Sequence, residues 1–284
     1  MDLWTFVLLL AAVAVAAGLV GSLTGLGGGV IMIPVLVIAF NVPFPIAVGT
    51  GVVTILATSS TTGTAYVRDR LSDIRIGMFL EIATVPGALI GATATVLLVH
   101  ANFSDALLIA LGLILLAIVP GAIARRHEEL PHDVHPDARS IRLGFRGEYP
   151  DPALGHGVTY QAADTNSGLG VMFGAGLVSG MFGIGAGVFK VLALERFMKL
   201  PMKVSTATSN FMIGVTAAAG AGVLFAAGYV NPLLAAPAAL GTAVGAYGGS
   251  RILPGLRNRT VRLIFLPIIV LLAVEVILRG LGIL

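Results

Sequence analysis

The sequence predicts an all-α polytopic membrane protein made of two inverted repeats. Each repeat is a glycine-tipped re-entrant helix hairpin followed by three transmembrane helices. Three observations carry that prediction. The 284 residues are 57% hydrophobic and 11% charged, with a mean hydropathy of +0.98, whereas soluble domains carry about 25% charged residues. A glycine cluster, Gly25-Leu26-Gly27-Gly28-Gly29, interrupts apolar sequence and returns as Gly183-Ile184-Gly185-Ala186-Gly187. Basic residues gather in alternate gaps between apolar segments.

The apolar segments fall at 3–24, 28–40, 46–66, 75–99 and 103–124. A polar stretch, 125–166, follows, and then 167–183, 186–199, 203–227, 230–250 and 260–282. This divides the chain into a first membrane repeat (1–124), a linker (125–166) and a second membrane repeat (167–284). Residues 1–24 lack a basic n-region and Asp2 is acidic, so they read as a retained membrane segment and not as a cleaved signal. Segments near 20 residues suffice to cross a hydrocarbon core of about 30 Å. Segments 30–40 and 188–199 would rise only about 16 and 18 Å as helices, so both read as re-entrant, with tips near mid-membrane. Gly18–Val30 aligns with Gly176–Val188. After a two-residue shift, Val48-Gly49-Thr50-Gly51 aligns with Val204-Ser205-Thr206-Ala207, and Asn210 with Thr54. Gly87 and Gly91 pair with Gly241 and Gly245. In the linker, Ile141–Phe145 and Gly157–Tyr160 read as strands around the turn-rich stretch 149–155, giving a small β-hairpin.

Lys and Arg favour the cytoplasmic side. Arg68, Arg70 and Arg75 surround one gap; Arg125, Arg126, Arg139, Arg142 and Arg146 lie in the linker. Arg196, Lys199 and Lys203 surround another gap, and Arg251, Arg257, Arg259 and Arg262 the last. Gaps 41–45, 100–102 and 228–229 carry no Lys or Arg. The expected topology is a multi-pass membrane protein with a cytoplasmic linker and both termini outside. Equivalent gaps then face opposite sides, which makes the repeats inverted, as in many secondary transporters.

The absence of cysteine excludes disulfides, thiolate metal sites and cysteine nucleophiles. No HExxH, P-loop or GxSxG motif appears, so neither an enzyme nor a cofactor is expected. His132-Asp133-Val134-His135 reads as a solvated loop, since no further ligands cluster with it. The candidates are for substrate binding. Glycine tips expose N–H groups at helix N-termini, which attract anions; this marks Gly27, Gly28, Gly29, Gly185 and Gly187. The plainer alternative is a tight turn with close packing. Lys190 follows Gly187 by three residues, and a charge at that depth is expensive and functional by default. Its alternatives are a carboxylate partner or snorkelling; its counterpart is Met32. Thr50, Thr54, Thr58 and Thr61 share a helix face, and 203–227 carries Ser205, Thr206, Thr208, Ser209, Asn210 and Thr216. Most such groups bond their own backbone or a neighbouring helix; Thr50, Thr206, Ser209 and Asn210 are the expected substrate contacts. Glu81 is a proton-relay candidate, or a partner of Arg75 or Lys190. Glu275 and Arg279, one turn apart, suit a structural ion pair.

The paired motifs Leu23-Thr24-Gly25-Leu26-Gly27-Gly28-Gly29 and Met181-Phe182-Gly183-Ile184-Gly185-Ala186-Gly187 resemble those of the sulfite exporter TauE/SafE family. Ala47-Val48-Gly49-Thr50 and Val204-Ser205-Thr206-Ala207-Thr208-Ser209-Asn210 are similar to its second recurring motif. The resemblance covers all but the linker. It implies a prokaryotic inner-membrane permease exporting sulfite, an organosulfonate or another small sulfur-containing anion. The expected mechanism is alternating access, one hairpin-bearing half rocking against the other around a central site. An anion channel, or a membrane sensor with the linker as its output, is the alternative. Expected partners are a small inorganic or organic anion and the lipid bilayer, with a homodimer as an admissible assembly and no nucleic acid.

Overall fold

The computed structural model describes residues 3–24, 27–124, 134–151, 156–252 and 258–283. The first five helices are α1 (Leu3–Thr24), α2 (Gly29–Ile38), α3 (Phe44–Arg68), α4 (Ile74–His100) and α5 (Ser104–Ala124). The linker holds α6 (Ala138–Leu143), β1 (Arg146–Asp151) and β2 (His156–Gln161). Then come α7 (Thr165–Phe182), α8 (Gly187–Leu192) running into a π-helical turn (Ala193–Phe197), α9 (Met202–Ala226), α10 (Pro232–Ile252) and α11 (Asn258–Gly280).

The helices are apolar outside, and inside they mix small and polar residues with an apolar core. On α4, Met78, Ile82, Leu89, Ile90 and Leu97 are exposed. The opposite face buries Gly77, Glu81, Thr84, Gly87, Gly91 and Thr95. That polarity suits lipid, where small and polar residues mediate helix contact. Four described helices, Trp4–Thr24, Phe44–Arg68, Ile74–His100 and Met202–Ala226, are long and apolar enough to cross a membrane.

Glycines set how the helices pair. α1 lies along α10, and α4 along α7. A Cβ on Gly18 would sit 2.2 Å from the Thr242 carbonyl oxygen, and one on Gly176 2.2 Å from that of Thr84. A Cβ on Gly91 would sit 2.2 Å from the Leu177 oxygen, and one on Gly245 1.9 Å from that of Val15. No side chain fits at those distances, so the backbones themselves are in contact. Each pair joins a helix from before the linker to one from after it, so the two sequence halves are interleaved. Two bundles result, one of α1, α2, α3 and α10, the other of α7, α8, α9 and α4. They meet where α3 packs on α9, and α5 and α11 pack together.

The elements recur at a constant spacing. α3 starts at Phe44 and α9 at Met202, 158 residues later, after the N-cap prolines Pro43 and Pro201. α4 starts at Ile74 and α10 at Pro232, again 158 later. Left-handed residues repeat at the same interval: Gly27 and Gly185 (φ 76° and 71°), Asn41 and Lys199 (52° and 55°), Arg70 and Gly228 (56° and 75°). This corrects the two-residue shift in the sequence alignment. Thr50 corresponds to Thr208, and Gly87 and Gly91 to Gly245 and Gly249. Short apolar motifs resemble one another in several registers; the prolines fix where each helix begins.

The expected β-hairpin is present, with β1 antiparallel to β2 from Arg146↔Gln161 to Asp151↔His156. The run Ile141–Phe145 is not its first strand. Residues 138–143 form α6, closed by Gly144 in the left-handed region at φ 65°. The chain is extended only after that cap. Helical spacing buries Ser140, which donates to the Ala162 carbonyl (2.5 Å), and leaves Ile141 exposed. Tyr149–Asp151, read as part of the turn, belongs to β1, and 152–155 lies outside the described residues, as do Gly25, Leu26, Arg125, Arg126, His132 and Asp133.

The linker docks on the second bundle. The Tyr160 phenol donates to Asp73 Oδ2 (2.9 Å), while Asp73 Oδ1 caps α4 by accepting from the Ile76 N–H (3.0 Å). The Asp73 N–H donates to Thr208 Oγ1 on α9 (2.9 Å), and Arg75 donates to the Gly144 carbonyl (3.2 Å). Burial, with the Asp73 carboxylate beside it, pushes the Tyr160 phenol well above its ordinary pKa. Phe145 packs on Phe79 of α4, ring centroids 5.1 Å apart.

Candidate functional site

The site is built from the two glycine turns. Tip one, Gly27–Gly29, leads into α2; tip two, Gly183–Gly187, leads into α8. Gly183, Gly185 and Ala186 all adopt left-handed φ, at 62°, 71° and 48°, which turns the chain within a few residues. The tips touch. A Cβ on Gly29 would sit 2.8 Å from the Gly183 carbonyl oxygen and 2.5 Å from Ile55 Cδ1, and one on Gly28 would sit 3.1 Å from Thr58 Oγ1. Ser209 Oγ donates to the Gly187 carbonyl (3.3 Å), tying tip two to α9.

The helices behind the tips are short. α2 has ten residues and α8 six, rising about 15 and 9 Å against a core of about 30 Å. Most of α2 is buried, from Gly29 to Val37, as irregular backbone at membrane depth requires. α8 gives way to the π-helical turn at Ala193, so the regular helix is shorter still than the segment 188–199 read from sequence.

Lys190 lies one turn into α8 and is fully buried. Its Nζ donates to Thr216 Oγ1 on α9 and stands 3.7 Å from Glu81 Oε1 on α4. Thr216 Oγ1 is 2.9 Å from Glu81 Oε1, 3.0 Å from Oε2 and 2.9 Å from the Met212 carbonyl oxygen. One hydroxyl thus bridges an ammonium and a carboxylate. Glu81 is 4% exposed, and two ions so deeply buried hold their charges only as a pair. Of the partners open to Glu81 from sequence, Lys190 is the one; Arg75 is turned to Gly144. The corresponding residues of the first half, at the 158-residue interval, are Met32, Thr58 and, on α10, Ala239. None is ionisable.

The hydroxyl helices divide into two kinds. Thr54, Thr58, Thr61 and Thr62 donate to the carbonyls of Gly51, Thr54, Ala57 and Thr58 on their own helix. Thr50 Oγ1 and Asn210 Oδ1 are buried and have no hydrogen-bond partner. An unmet buried polar atom costs about 1–3 kcal/mol; Thr50 Oγ1 has a proton to give, whereas Asn210 Oδ1 can only accept. Asn210 Nδ2 donates to the Thr206 carbonyl (3.1 Å), and the Asn210 carbonyl accepts from Ser59 Oγ of α3 (2.5 Å). Thr206 is 6% exposed. Sequence reasoning did not single out Thr216. Its signal was a place two turns beyond Ser209 on the face toward tip two. Arg279 also differs from expectation, donating to Asn41 Oδ1 (2.5 Å) and the Ile38 carbonyl (3.4 Å) at the end of α2, and not to Glu275.

The family described as sulfite exporter TauE/SafE matches residues 10–276. The chain belongs to that family. Both tips, Lys190, Thr216 and Glu81 fall inside the TauE/SafE match. The chain is also similar to the probable membrane transporter protein YunE of Bacillus subtilis (strain 168), 29% identical over 279 residues that cover 96% of this chain and 97% of that protein. No solved structure matches it. Taken with its apolar helices, membership of TauE/SafE makes the protein a membrane transporter.

Proposed function

We propose that the protein is a secondary transporter that exports a small anion, sulfite or an organosulfonate, by alternating access around a site between two inverted repeats. The observation that carries this reading is Lys190, a fully buried ammonium just behind the point where the tips touch. Around it the backbones of Gly27, Gly28, Gly29, Gly185 and Gly187 and the side chains of Thr50, Thr206, Ser209 and Asn210 supply polar groups. Lys190 supplies the charge.

The 158-residue recurrence supports a repeat, and the exchange of partners between α1/α10 and α4/α7 is what a twofold axis between repeats would produce. The basic gaps support inversion, with the linker inside and both termini outside. The moving bodies differ from those expected from sequence. Rocking half against half would tear α1 from α10 and α4 from α7, where backbones are in contact. The bodies are instead the interleaved bundles, sliding along α3 and α9.

Purified protein in lipid vesicles, tested against sulfite and a sulfonate panel, decides the reading. Saturable flux of one of these anions is expected, with Lys190→Met reducing it at least about a hundredfold, the scale of losing a fully desolvated charge contact. The double variant Lys190→Met/Glu81→Gln, which leaves no unpaired charge, is expected to fold and to be equally inactive. Undiminished flux in that variant would sink the role of Lys190.

A further inference from the structure

We propose that Glu81 is an internal counter-anion, and that each substrate monoanion displaces it from Lys190 only when Glu81 takes up a proton. Transport is then an electroneutral symport of one proton with one anion. The inference rests on the anion reading of Lys190 and adds the coupling to it.

The argument is one of charge balance in a water-poor site. In the empty protein the ammonium and the carboxylate sum to zero. Adding an anion while Glu81 stays ionised leaves one uncompensated negative charge where burial is costly. Among the described residues, the elements packed against the pair bring few other charges. α7 carries no ionisable side chain; α9 carries only Lys203, in its first turn; α4 carries Arg75, held by Gly144, and His100 at its far end. α3 contributes Tyr66 and Arg68 near its C-terminal end and α5 Asp105 in its first turn, while the π-helical turn carries Glu195 and Arg196, five and six residues past Lys190. Lys190 is the cation that faces Glu81.

The step balances. A proton from the aqueous side that delivers the anion adds to a Glu81 oxygen, giving the neutral acid. Lys190 stays an ammonium and takes the anion in place of the carboxylate. Thr216, still accepting from Lys190, has a second acceptor in the Met212 carbonyl at 2.9 Å, so its hydroxyl is not stranded when Glu81 ceases to accept. On the opposite side the anion and the proton both leave, and the ion pair re-forms. Direction then follows the summed gradients of anion and proton. Export is driven by accumulation of the anion inside and not by membrane voltage.

The test uses the full chain in phosphatidylethanolamine–phosphatidylglycerol vesicles, with sulfite and methanesulfonate as probes and an internal pH dye. Imposed proton gradients should drive uptake toward the alkaline side, about tenfold in accumulation per pH unit, with the dye reporting one proton per anion. A potassium diffusion potential should leave accumulation unchanged; a single uncompensated charge would give about fiftyfold per 100 mV. Glu81→Gln should abolish accumulation driven by the pH gradient, and any anion-for-anion exchange it supports should lose its pH dependence. Voltage-driven, proton-independent flux in the unaltered protein overturns the coupling while leaving the anion reading intact. So does gradient-driven accumulation by Glu81→Gln. Absence of anion flux under every gradient overturns both.

Discussion

Hairpin two sets Lys190 against Thr216 and Glu81, whereas hairpin one has Met32, Thr58 and Ala239 at the corresponding places. The backbone plan is shared, down to the left-handed residues at Gly27 and Gly185 and at Asn41 and Lys199. Met32 and Lys190 are equally buried, at 0%. What differs is the charge, and the carboxylate that answers it appears on the same side of the pseudo-symmetry. Two turns share one backbone plan; only the second carries ions.

The sharpest way to break this comparison is to charge the apolar hairpin. Met32→Lys leaves an ammonium with no carboxylate in reach and is expected to cost about 3–5 kcal/mol, seen as loss of folded protein in size exclusion and a collapsed melting transition. Adding Ala239→Glu should recover most of that loss, because it rebuilds the pair of hairpin two. Failure of the double variant to recover would mean that the two hairpins are not equivalent environments.

A smaller effect tests which parts move. The chain has no cysteine, so pairs can be introduced cleanly. Ser59→Cys with Gly214→Cys joins α3 to α9 across the bundle boundary, where the Cβ positions are 3.0 Å apart, so the two helices must part by about half an ångström to seat the bridge. Ala92→Cys with Gly220→Cys joins α4 to α9 inside one bundle, at 4.0 Å; a disulfide spans about 3.5–4.5 Å. Oxidation should stop transport reversibly in the first pair and leave it within about twofold in the second, as expected for a link inside a rigid body. The reverse pattern would assign the motion to the sequence halves.

The smallest effect concerns tip two alone. Ala186 holds φ 48° where the first half has Gly28 at φ −64°. Ala186→Gly removes the left-handed strain and should stabilise the protein by about 1 kcal/mol, read as a raised melting temperature in detergent.

The sequence disclosed the helices, the paired glycines, Lys190 and Glu81, because each breaks an apolar background. It offered Glu81 both Arg75 and Lys190 as partners and could not choose between them, since the meeting with Lys190 depends on α4 and α8 both packing on α9. Thr216 was hidden for a related reason. A threonine in a row of hydroxyls looks like its neighbours until the fold sets it between Lys190 and Glu81. The repeat register was misread because Asn41/Lys199 and Arg70/Gly228 share conformation but not identity. α6 was misread because a short helix ending at a left-handed glycine looks, as sequence, like an alternating strand.

The interleaving of the halves bears on how the chain is assembled. Gly18 is shaped to meet Thr242, and Thr84 to meet Gly176. During synthesis α1 and α4 enter the bilayer long before the backbones they fit. Until α7 and α10 follow, their small-residue faces look onto lipid. Contacts between segments so far apart in sequence form late. Neither bundle can close before translation passes the linker, so the two bundles are completed together from a chain that is half made when their first helices arrive.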